Sequence, residues 1–216
     1  MVAEAFSHVR TWVFDLDNTL YPPASRLFDQ IHARMSSYVQ RSLQLAPAEA
    51  DALRARYWRE YGTTLAGLMA CHGIDAEAFL VEVHDIDFSV LRPDPVLRAR
   101  IEALPGRRIV YTNGSAPYAR KVTAALGLEG LFDATYGIEN AGYHPKPRAE
   151  AFATVFAADG LDAARAAMFE DDARNLQVPH ALGMRTVHVA PTPLPAAEAA
   201  HIHHHTDDLS AFLARL

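Results

Sequence analysis

The sequence predicts an α/β fold in which a parallel sheet, flanked by helices, is interrupted by an all-helical segment. From residue 93 onward, short apolar runs alternate with helical patterns, which is typical of a parallel sheet with helices on both faces. One further strand-like run precedes residue 22. Between these two parts, apolar residues recur at three- and four-residue spacing without a convincing strand, as in amphipathic helices.

The elements follow in order. A run rich in β-branched and aromatic residues predicts the first strand at 9–15. The helical pattern runs from Ser25 to about His84. We therefore expect one core formed by residues 1–21 and 93–216, with residues 22–92 inserted into it as a helical unit. Further strands are predicted at 107–113, 134–138, 166–171 and 184–189, and helices at 116–126, 149–158 and 173–182.

The C-terminal part contains a histidine-rich tract, residues 201–205. Such tracts are sometimes metal sites, but its position favours a short edge segment of the sheet. We expect it to lead into a last helix capped by Thr206, with Asp207 and Asp208 in the first turn.

Composition narrows the functional class. The 216 residues include 20 Lys and Arg against 26 Asp and Glu, a formal charge of −6, which disfavours binding to a nucleic-acid polymer. Cys71 is the single cysteine; it excludes an internal disulfide, and we expect it to be a buried small residue. No stretch approaches the roughly 20 apolar residues of a membrane span, and no signal peptide is evident. We expect a cytoplasmic protein.

Acidic residues follow two predicted strands. Asp15 and Asp17 end the first, and Glu170, Asp171 and Asp172 end a later one. Ligands of parallel α/β sheets lie beyond the carboxyl ends of the strands. Clustered carboxylates repel one another unless a cation lies among them, and oxygen ligands favour Mg²⁺. A single such Asp is usually a turn residue, but the paired spacing favours a site.

Two further segments suit an anion. Thr112, Asn113 and Gly114 lie between a strand and a helix, where hydroxyl and backbone N–H groups can bind phosphate; Ser115 alone would also make an ordinary helix cap. Lys146 stands between two prolines and is one of only two lysines among 20 basic residues. An ordinary loop lysine is the alternative.

Four segments in this order resemble the motifs of the haloacid dehalogenase-like (HAD) superfamily. They are DLDNT at 15–19, TN at 112–113, Lys146, and EDDARN at 170–175. The resemblance implies a Rossmann-like HAD core, and the helical insert lies where this superfamily carries its C1-type cap. Segments at 21–22, 57–58, 61–68, 72–75, 93–95 and 206–209 resemble the pyrimidine 5′-nucleotidase branch.

The resemblance also implies a chemistry. Asp15 would be the nucleophile that forms an aspartyl-phosphate, and Asp17 the general acid and then the general base. Mg²⁺ would be bound by the carboxylates of Asp15 and Asp171 and by the backbone carbonyl of Asp17. Thr112, Asn113, Gly114 and Lys146 would hold the phosphoryl oxygens.

Three neighbours of these residues would support them. Glu170, Asp172 and Asn175 would orient the waters of the metal ion or Lys146. The branch usually has Ser at the position of Asp172, which leaves open whether Asp172 reaches the metal. Asp17 favours phosphoryl chemistry over dehalogenation, because dehalogenases proper lack an aspartate two residues after the nucleophile; phosphomutases keep both.

The expected substrate is a small phosphomonoester, with UMP and CMP preferred by the branch resemblance. Cap residues that would contact it are Tyr57, Trp58, Tyr61 and Thr64; His32, Thr63 and Arg26 are weaker candidates, and aromatic residues at helical spacing are often core residues. The alternatives are a phosphatase for phosphoglycolate or a sugar phosphate, and a catalytically silent HAD-like binding protein. We expect a monomer or a homodimer.

Overall fold

The computed structural model describes residues 2–216, and its centre is a six-stranded sheet in the order β3-β2-β1-β4-β5-β6. Every neighbouring pair is parallel, so the predicted fold class is confirmed. The strands are β1 (Thr11–Phe14), β2 (Arg107–Tyr111), β3 (Ala134–Tyr136), β4 (Ala166–Glu170), β5 (Arg185–Val189) and β6 (His204–Thr206).

The order of the strands determines where a ligand can bind. From β1 the chain passes to β2 and β3 on one side, and then returns to β4 on the other side of β1. Such a reversal leaves a crevice at the carboxyl ends of the central strands. The residues that follow β1, β2 and β4 therefore meet at one edge of the sheet.

The helical segment predicted between the first two strands is also confirmed as helical. A short helix, α1 (Val2–Phe6), precedes β1; α2 (Leu27–Leu43), α3 (Pro47–Tyr61), α4 (Thr64–His72) and α5 (Ala76–Val83) lie between β1 and β2, followed by α6 (Pro95–Glu102). We refer to α2–α5 as the inserted helices. They bury an apolar cluster of their own, with Val39, Tyr57, Leu68 and Phe79 among its members.

Local sequence explains where the inserted helices begin and end. The hydroxyl of Thr63 accepts a hydrogen bond from the backbone N–H of Ala66, and the carboxylate of Asp75 accepts one from that of Ala78. Such caps satisfy N–H groups that have no partner inside the helix. Gly73, with φ +61°, ends α4 in the left-handed region, where glycine has no steric penalty.

The remaining helices complete the two layers over the sheet: α7 (Ala116–Ala125), α8 (Ala149–Asp159), α9 (Gln177–Ala181) and α10 (Leu209–Leu213). Alternate residues of β1 point to opposite faces. Trp12 and Phe14 pack in the apolar layer that contains Phe212 of α10, and Val13 packs in the layer that contains Phe152 of α8. No helix within residues 2–216 has the length and apolar character needed to cross a bilayer.

Two local predictions were wrong. Cys71 is exposed, because the last turn of α4 faces solvent. The last helix is capped by Asp208, whose carboxylate accepts from the N–H of Ala211, whereas Thr206 ends β6. The histidine-rich tract does supply an edge strand of the sheet, as predicted.

Candidate active site

A cavity of about 930 Å³ lies between the carboxyl edge of the sheet and the inserted helices. This volume is within the roughly 300–1,000 Å³ typical of small-molecule sites. The structure brings together at this cavity all the core residues that the sequence singled out: Asp15, Asp17, Thr112, Asn113, Gly114, Lys146, Glu170, Asp171, Asp172 and Asn175.

Lys146 lies at the centre of this group and its side chain is only 1% exposed. Its Nζ donates to Asp15 Oδ1 at 2.7 Å, to Glu170 Oε2 at 2.6 Å and to the carbonyl oxygen of Tyr111 at 3.0 Å. Burial alone would lower the pKa of the ammonium, but the two carboxylates outweigh burial and raise it. All three N–H groups have acceptors, so Lys146 remains charged and fixed.

Asn113 holds the backbone of Lys146 in place. Its side-chain Nδ2 donates to the carbonyl oxygen of Lys146 at 3.1 Å, and the N–H of Lys146 donates to Asn113 Oδ1 at 2.8 Å. The sequence predicts Asn113 as one of the residues that hold the phosphoryl oxygens. The structure gives its side chain a separate role, which is to tie the Lys146 loop to the end of β2.

Thr112 and Ser115 shape the loop that leads from β2 into α7. Thr112 Oγ1 accepts from the N–H of Gly114 at 2.9 Å, and Ser115 Oγ accepts from the N–H of Tyr118 at 3.3 Å. Ser115 is therefore the helix cap, as the sequence indicated. The cap and the anion-binding interpretation are compatible, because the loop before it still lines the cavity.

Two tyrosines hold the carboxylate of Asp17. Asp17 Oδ1 accepts from the hydroxyl of Tyr21 at 2.5 Å and from that of Tyr118 at 2.6 Å. Burial and, secondarily, the charge of Asp15 raise the pKa of Asp17 to about 6, while the tyrosine hydrogen bonds act in the opposite direction. A carboxyl group with a pKa near neutrality can both donate and accept a proton.

The acidic residues form the only group of three or more potential metal ligands found within residues 2–216. One oxygen each of Asp15, Glu170 and Asp171 lie within 4.8 Å of one another. Burial, reinforced by neighbouring carboxylates, raises the pKa of Asp15 and of Asp171 to about 7 and that of Glu170 to about 8. Several acidic groups therefore share one buried space with a single ammonium.

This donor set fits a hard divalent cation such as Mg²⁺. All three ligands are carboxylate oxygens, and the buried Oδ1 of Asn175 at the same cavity has no hydrogen-bond partner. Asp15 and Asp171 in this cluster are the two carboxylates that the family resemblance predicts as metal ligands. Asp17 is predicted to bind the ion through its backbone carbonyl, and its side chain is turned to the tyrosines. Glu170, predicted as a supporting residue, lies in the cluster itself.

The neighbours of the cluster are held by their own contacts. Asp172 forms an ion pair with Arg174, whose Nη2 lies 2.5 Å from Asp172 Oδ2. The Oδ1 atom of Asp172 also accepts a hydrogen bond from the backbone N–H of Arg174 at 3.0 Å. The carboxylate of Asp172 is thus committed to Arg174. Asn18 Nδ2 donates to Asp171 Oδ2 at 3.3 Å, and the ring of His188 lies 2.9 Å from the carbonyl oxygen of Asp171.

The candidates on the inserted helices fall into two groups. Trp58 and Thr64 line the cavity, whereas Tyr57 and Tyr61 do not. Tyr57 is 1% exposed and packs in the cluster of the inserted helices. Tyr61 packs edge-on against Tyr57, with its hydroxyl 3.2 Å from Cys71 Sγ. Both rings pack against other side chains of the inserted helices, so neither is available to contact a substrate in the cavity.

The weaker candidates also separate. His32 and Thr63 line the cavity. Arg26 has an 80% exposed side chain that pairs with Asp29, and it is not part of the lining.

Sequence reasoning missed Ser36, Asp51 and Arg54, which also line the cavity. A signal was present on α3, because Asp51, Arg54 and Trp58 recur at three- and four-residue spacing and so share a helix face. Helices α2 and α5 contribute apolar side chains to the cavity lining: Phe28, Ile31, Met35, Phe79, Leu80 and Val83.

The histidine-rich tract binds the protein's own backbone. The rings of His201 and His205 lie 2.8 Å from the carbonyl oxygens of Ala173 and Ala190, respectively. The ring of His203 lies 2.8 Å from the hydroxyl of Thr186. These contacts attach the tract to the sheet, and the metal-ligand group found within residues 2–216 contains none of its members.

Comparison with known proteins gives a consistent result. The sequence matches the haloacid dehalogenase-like hydrolase family over residues 9–183. Phosphate metabolism protein 8 of Saccharomyces cerevisiae is 27% identical over 199 residues, which cover 83% of this chain and 60% of the yeast protein. This chain therefore spans about three-fifths of that relative's length.

Solved structures show the same fold. A haloacid dehalogenase-like family hydrolase from Streptococcus pneumoniae superposes with a TM-score of 0.63 at 14% identity, covering 97% of this chain and 99% of that one. The L-2-haloacid dehalogenase of Xanthobacter autotrophicus gives 0.55 at 19% identity, covering 96% and 88%.

Proposed function

Since the chain belongs to the haloacid dehalogenase-like hydrolase family, we propose that it is a Mg²⁺-dependent phosphohydrolase acting on the pyrimidine nucleoside 5′-monophosphates UMP and CMP. The observation that carries the proposal is the pairing of Asp15 with Lys146 at 2.7 Å, beside an Asp17 held by two tyrosine hydroxyls. A nucleophile, a fixed cation and a proton carrier are thus adjacent.

Asp15 is the nucleophile in this proposal. One carboxylate oxygen attacks phosphorus, and a P–O bond forms as the bond to the ribose oxygen breaks. Asp17 gives its proton to that leaving oxygen, and it then takes a proton from the water that attacks the aspartyl-phosphate. Hydrolysis returns Asp15 as a carboxylate and releases inorganic phosphate.

The phosphoryl group is held by the chain's own donors. The charge of Lys146, the hydroxyl of Thr112 and the backbone N–H of Asn113 stabilise the charge on its oxygens in the transition state. The N–H of Gly114 donates to Thr112 Oγ1 and so orients that hydroxyl. Asp15, Asp171 and the backbone carbonyl of Asp17 would hold Mg²⁺, which would supply the positive charge that lets a phosphate dianion approach an anionic nucleophile.

The phosphate part of this proposal has support from outside the site. The yeast relative is named for phosphate metabolism, although this chain spans only 60% of it. The pyrimidine part rests on the segments that resemble the nucleotidase branch. A cavity of about 930 Å³ extends from the carboxylates to the inserted helices, which leaves room for a nucleoside beyond the phosphate.

A phosphate-release screen tests the proposal. With Mg²⁺ present, kcat/KM for UMP and CMP is expected to exceed that for AMP, GMP and phosphoglycolate. A preference for phosphoglycolate or a sugar phosphate would replace the nucleotide substrate and retain the chemistry. The absence of turnover with every substrate would leave a binding protein instead of an enzyme.

A further inference from the structure

Arg54 is a largely buried cation in the wall of the cavity, on the side formed by the inserted helices. It lies on α3, and its side chain is 12% exposed. The cavity that it lines is the one that contains Asp15 and Lys146. A guanidinium removed from water carries a large desolvation cost unless its N–H groups find acceptors.

Arg54 has fewer hydrogen-bond acceptors around it than it has N–H groups. Its Nη1 donates to Ser36 Oγ, and it lies 3.4 Å from Asp51 Oδ1. Asp51 has a 61% exposed side chain, and its Oδ1 already accepts from the hydroxyl of Ser36 at 2.5 Å. The Nε of Arg54 is buried and has no partner, so one N–H of a charged group is left unsatisfied.

The surroundings of Arg54 make this unsatisfied donor selective. The lining that the inserted helices contribute is largely apolar and includes Ile31, Met35, Phe79, Leu80 and Val83. His32 lines the same region, and burial, followed by the charge of Arg54, lowers the pKa of its ring. Arg54 is the only Arg or Lys that the inserted helices contribute to this lining, and Asp51 beside it is their only carboxylate there.

We propose that Arg54 is a specificity-determining residue, whose guanidinium donates to a carbonyl oxygen on the part of the substrate remote from the phosphate. This inference rests on the proposed function. For a pyrimidine nucleotide the acceptor is the C2 carbonyl oxygen, which uracil and cytosine share. The base of AMP has no carbonyl group, so it leaves this donor unpaired.

The size of the effect follows from the charge on the donor. A hydrogen bond to a charged group contributes enough to change affinity roughly 10- to 100-fold. Ribose 5-phosphate carries the same sugar and phosphate as UMP but no base. The ratio of kcat/KM for UMP to kcat/KM for ribose 5-phosphate therefore reports the contacts of the base alone.

The experiment measures this ratio, in the presence of Mg²⁺, for the wild type and three variants. Arg54→Gln is expected to lower it roughly 10- to 100-fold. Arg54→Lys keeps the charge but lacks the planar fork, so a smaller fall in the same direction is expected. Arg59→Gln is the matched control, because Arg59 lies exposed on the same helix; it is expected to keep the wild-type ratio.

The outcomes separate this inference from the function on which it rests. A wild type that does not prefer UMP over ribose 5-phosphate overturns both. A wild type that prefers UMP, with the ratio retained in both Arg54 variants, overturns the role of Arg54 and leaves the function standing. Circular dichroism shows whether Arg54→Gln folds, and if it does not, Arg54→Lys decides.

Discussion

The guanidinium carbon of Arg174 lies 3.7 Å from the centroid of the Trp58 ring. Trp58 belongs to the inserted helices, whereas Arg174 follows β4 and is paired with Asp172. The stacked pair therefore joins an inserted helix to the loop that carries Asp171. It also covers part of the indole, so Trp58 has less surface available for a base than its position suggests.

A double-mutant cycle measures this contact. Trp58→Leu and Arg174→Leu, singly and together, are expected to show a coupling free energy of about 0.5–2 kcal/mol, the range of exposed to desolvated cation–π pairs. Urea denaturation provides the free energies. Trp58→Phe keeps an aromatic face and should retain part of the coupling; a coupling energy near zero would contradict the stacking.

Replacing the proposed nucleophile separates chemistry from folding. Asp15→Asn is expected to lower kcat by on the order of a thousandfold or more, because Asp15 is the one group proposed to form a phosphoenzyme. It removes one acidic group from a buried cluster in which burial raises the pKa of Asp15 to about 7. The melting temperature without metal is therefore not expected to fall. Steady-state kinetics with UMP and calorimetry check both statements, and substantial residual turnover would remove the assignment.

The two lysines form a matched pair for testing buried charge. Lys146→Met leaves Asp15 and Glu170 without their ammonium, so a loss of about 3–5 kcal/mol in unfolding free energy is expected. Lys121 is exposed on α7, and Lys121→Met should change stability by less than about 0.5 kcal/mol. Urea denaturation compares them, and equal effects would show that the charge network around Lys146 does not stabilise the fold.

Metal binding has a readout that does not depend on turnover. Mg²⁺ at about 100 times its dissociation constant is expected to stabilise the protein by about 2.7 kcal/mol, which differential scanning fluorimetry detects as a higher melting temperature. Asp171→Asn removes one of the clustered carboxylates and should abolish the increase. Asp207→Asn, an exposed substitution, should keep it. An increase that survives in Asp171→Asn would place the cation elsewhere.

The lowered pKa of His84 is expected to cause a loss of stability in mild acid. Burial, with a smaller contribution from Lys121, lowers the pKa of His84 from 6.5 to about 4. Its Nδ1 lies 3.1 Å from the hydroxyl of Ser115, and its ring stacks on that of Tyr118 at 4.2 Å. Between these two pKa values the unfolded chain binds the proton and the folded chain does not, so stability falls as the pH falls through 6.5.

The expected loss due to His84 between pH 8 and pH 5 is about 2 kcal/mol. Urea denaturation at both pH values measures it, with His84→Asn as the comparison. The variant has no imidazole to protonate, so it should lose about 2 kcal/mol less than the wild type over this range. An equal loss in both proteins would show that other groups cause the acid sensitivity.

The core of the site was predictable because its residues stand at strand ends. Asp15, Thr112 and Asp171 each follow an apolar run, and a parallel sheet brings such positions to one edge. Two features of the sequence indicate Lys146: lysine is rare in this arginine-rich chain, and a proline stands on each side of it. In each case the local sequence carried the signal.

Contacts between distant parts of the chain were not predictable in this way. Tyr118 is 101 residues from Asp17, and nothing local marks it as the group that holds that carboxylate. On α3 the helical period identifies residues that share a face but does not show which face meets the cavity, so it does not distinguish Arg54, which lines the cavity, from Tyr57, which does not. The prediction that Cys71 is buried was wrong for a similar reason, because the last turn of a helix can project beyond the core.

The paired hydrogen bonds between the Asn113 amide and the backbone of Lys146 have a mechanical consequence. The side-chain amide of Asn113 pairs with both the N–H and the carbonyl oxygen of Lys146, as the peptide group of a neighbouring strand would. The backbone of Lys146 is therefore attached directly to the end of β2. The position of the ammonium is thus tied to β2, a strand whose last three residues are buried. Rearrangement of the inserted helices around an incoming nucleotide would change the shape of the cavity while Lys146 keeps its place beside Asp15.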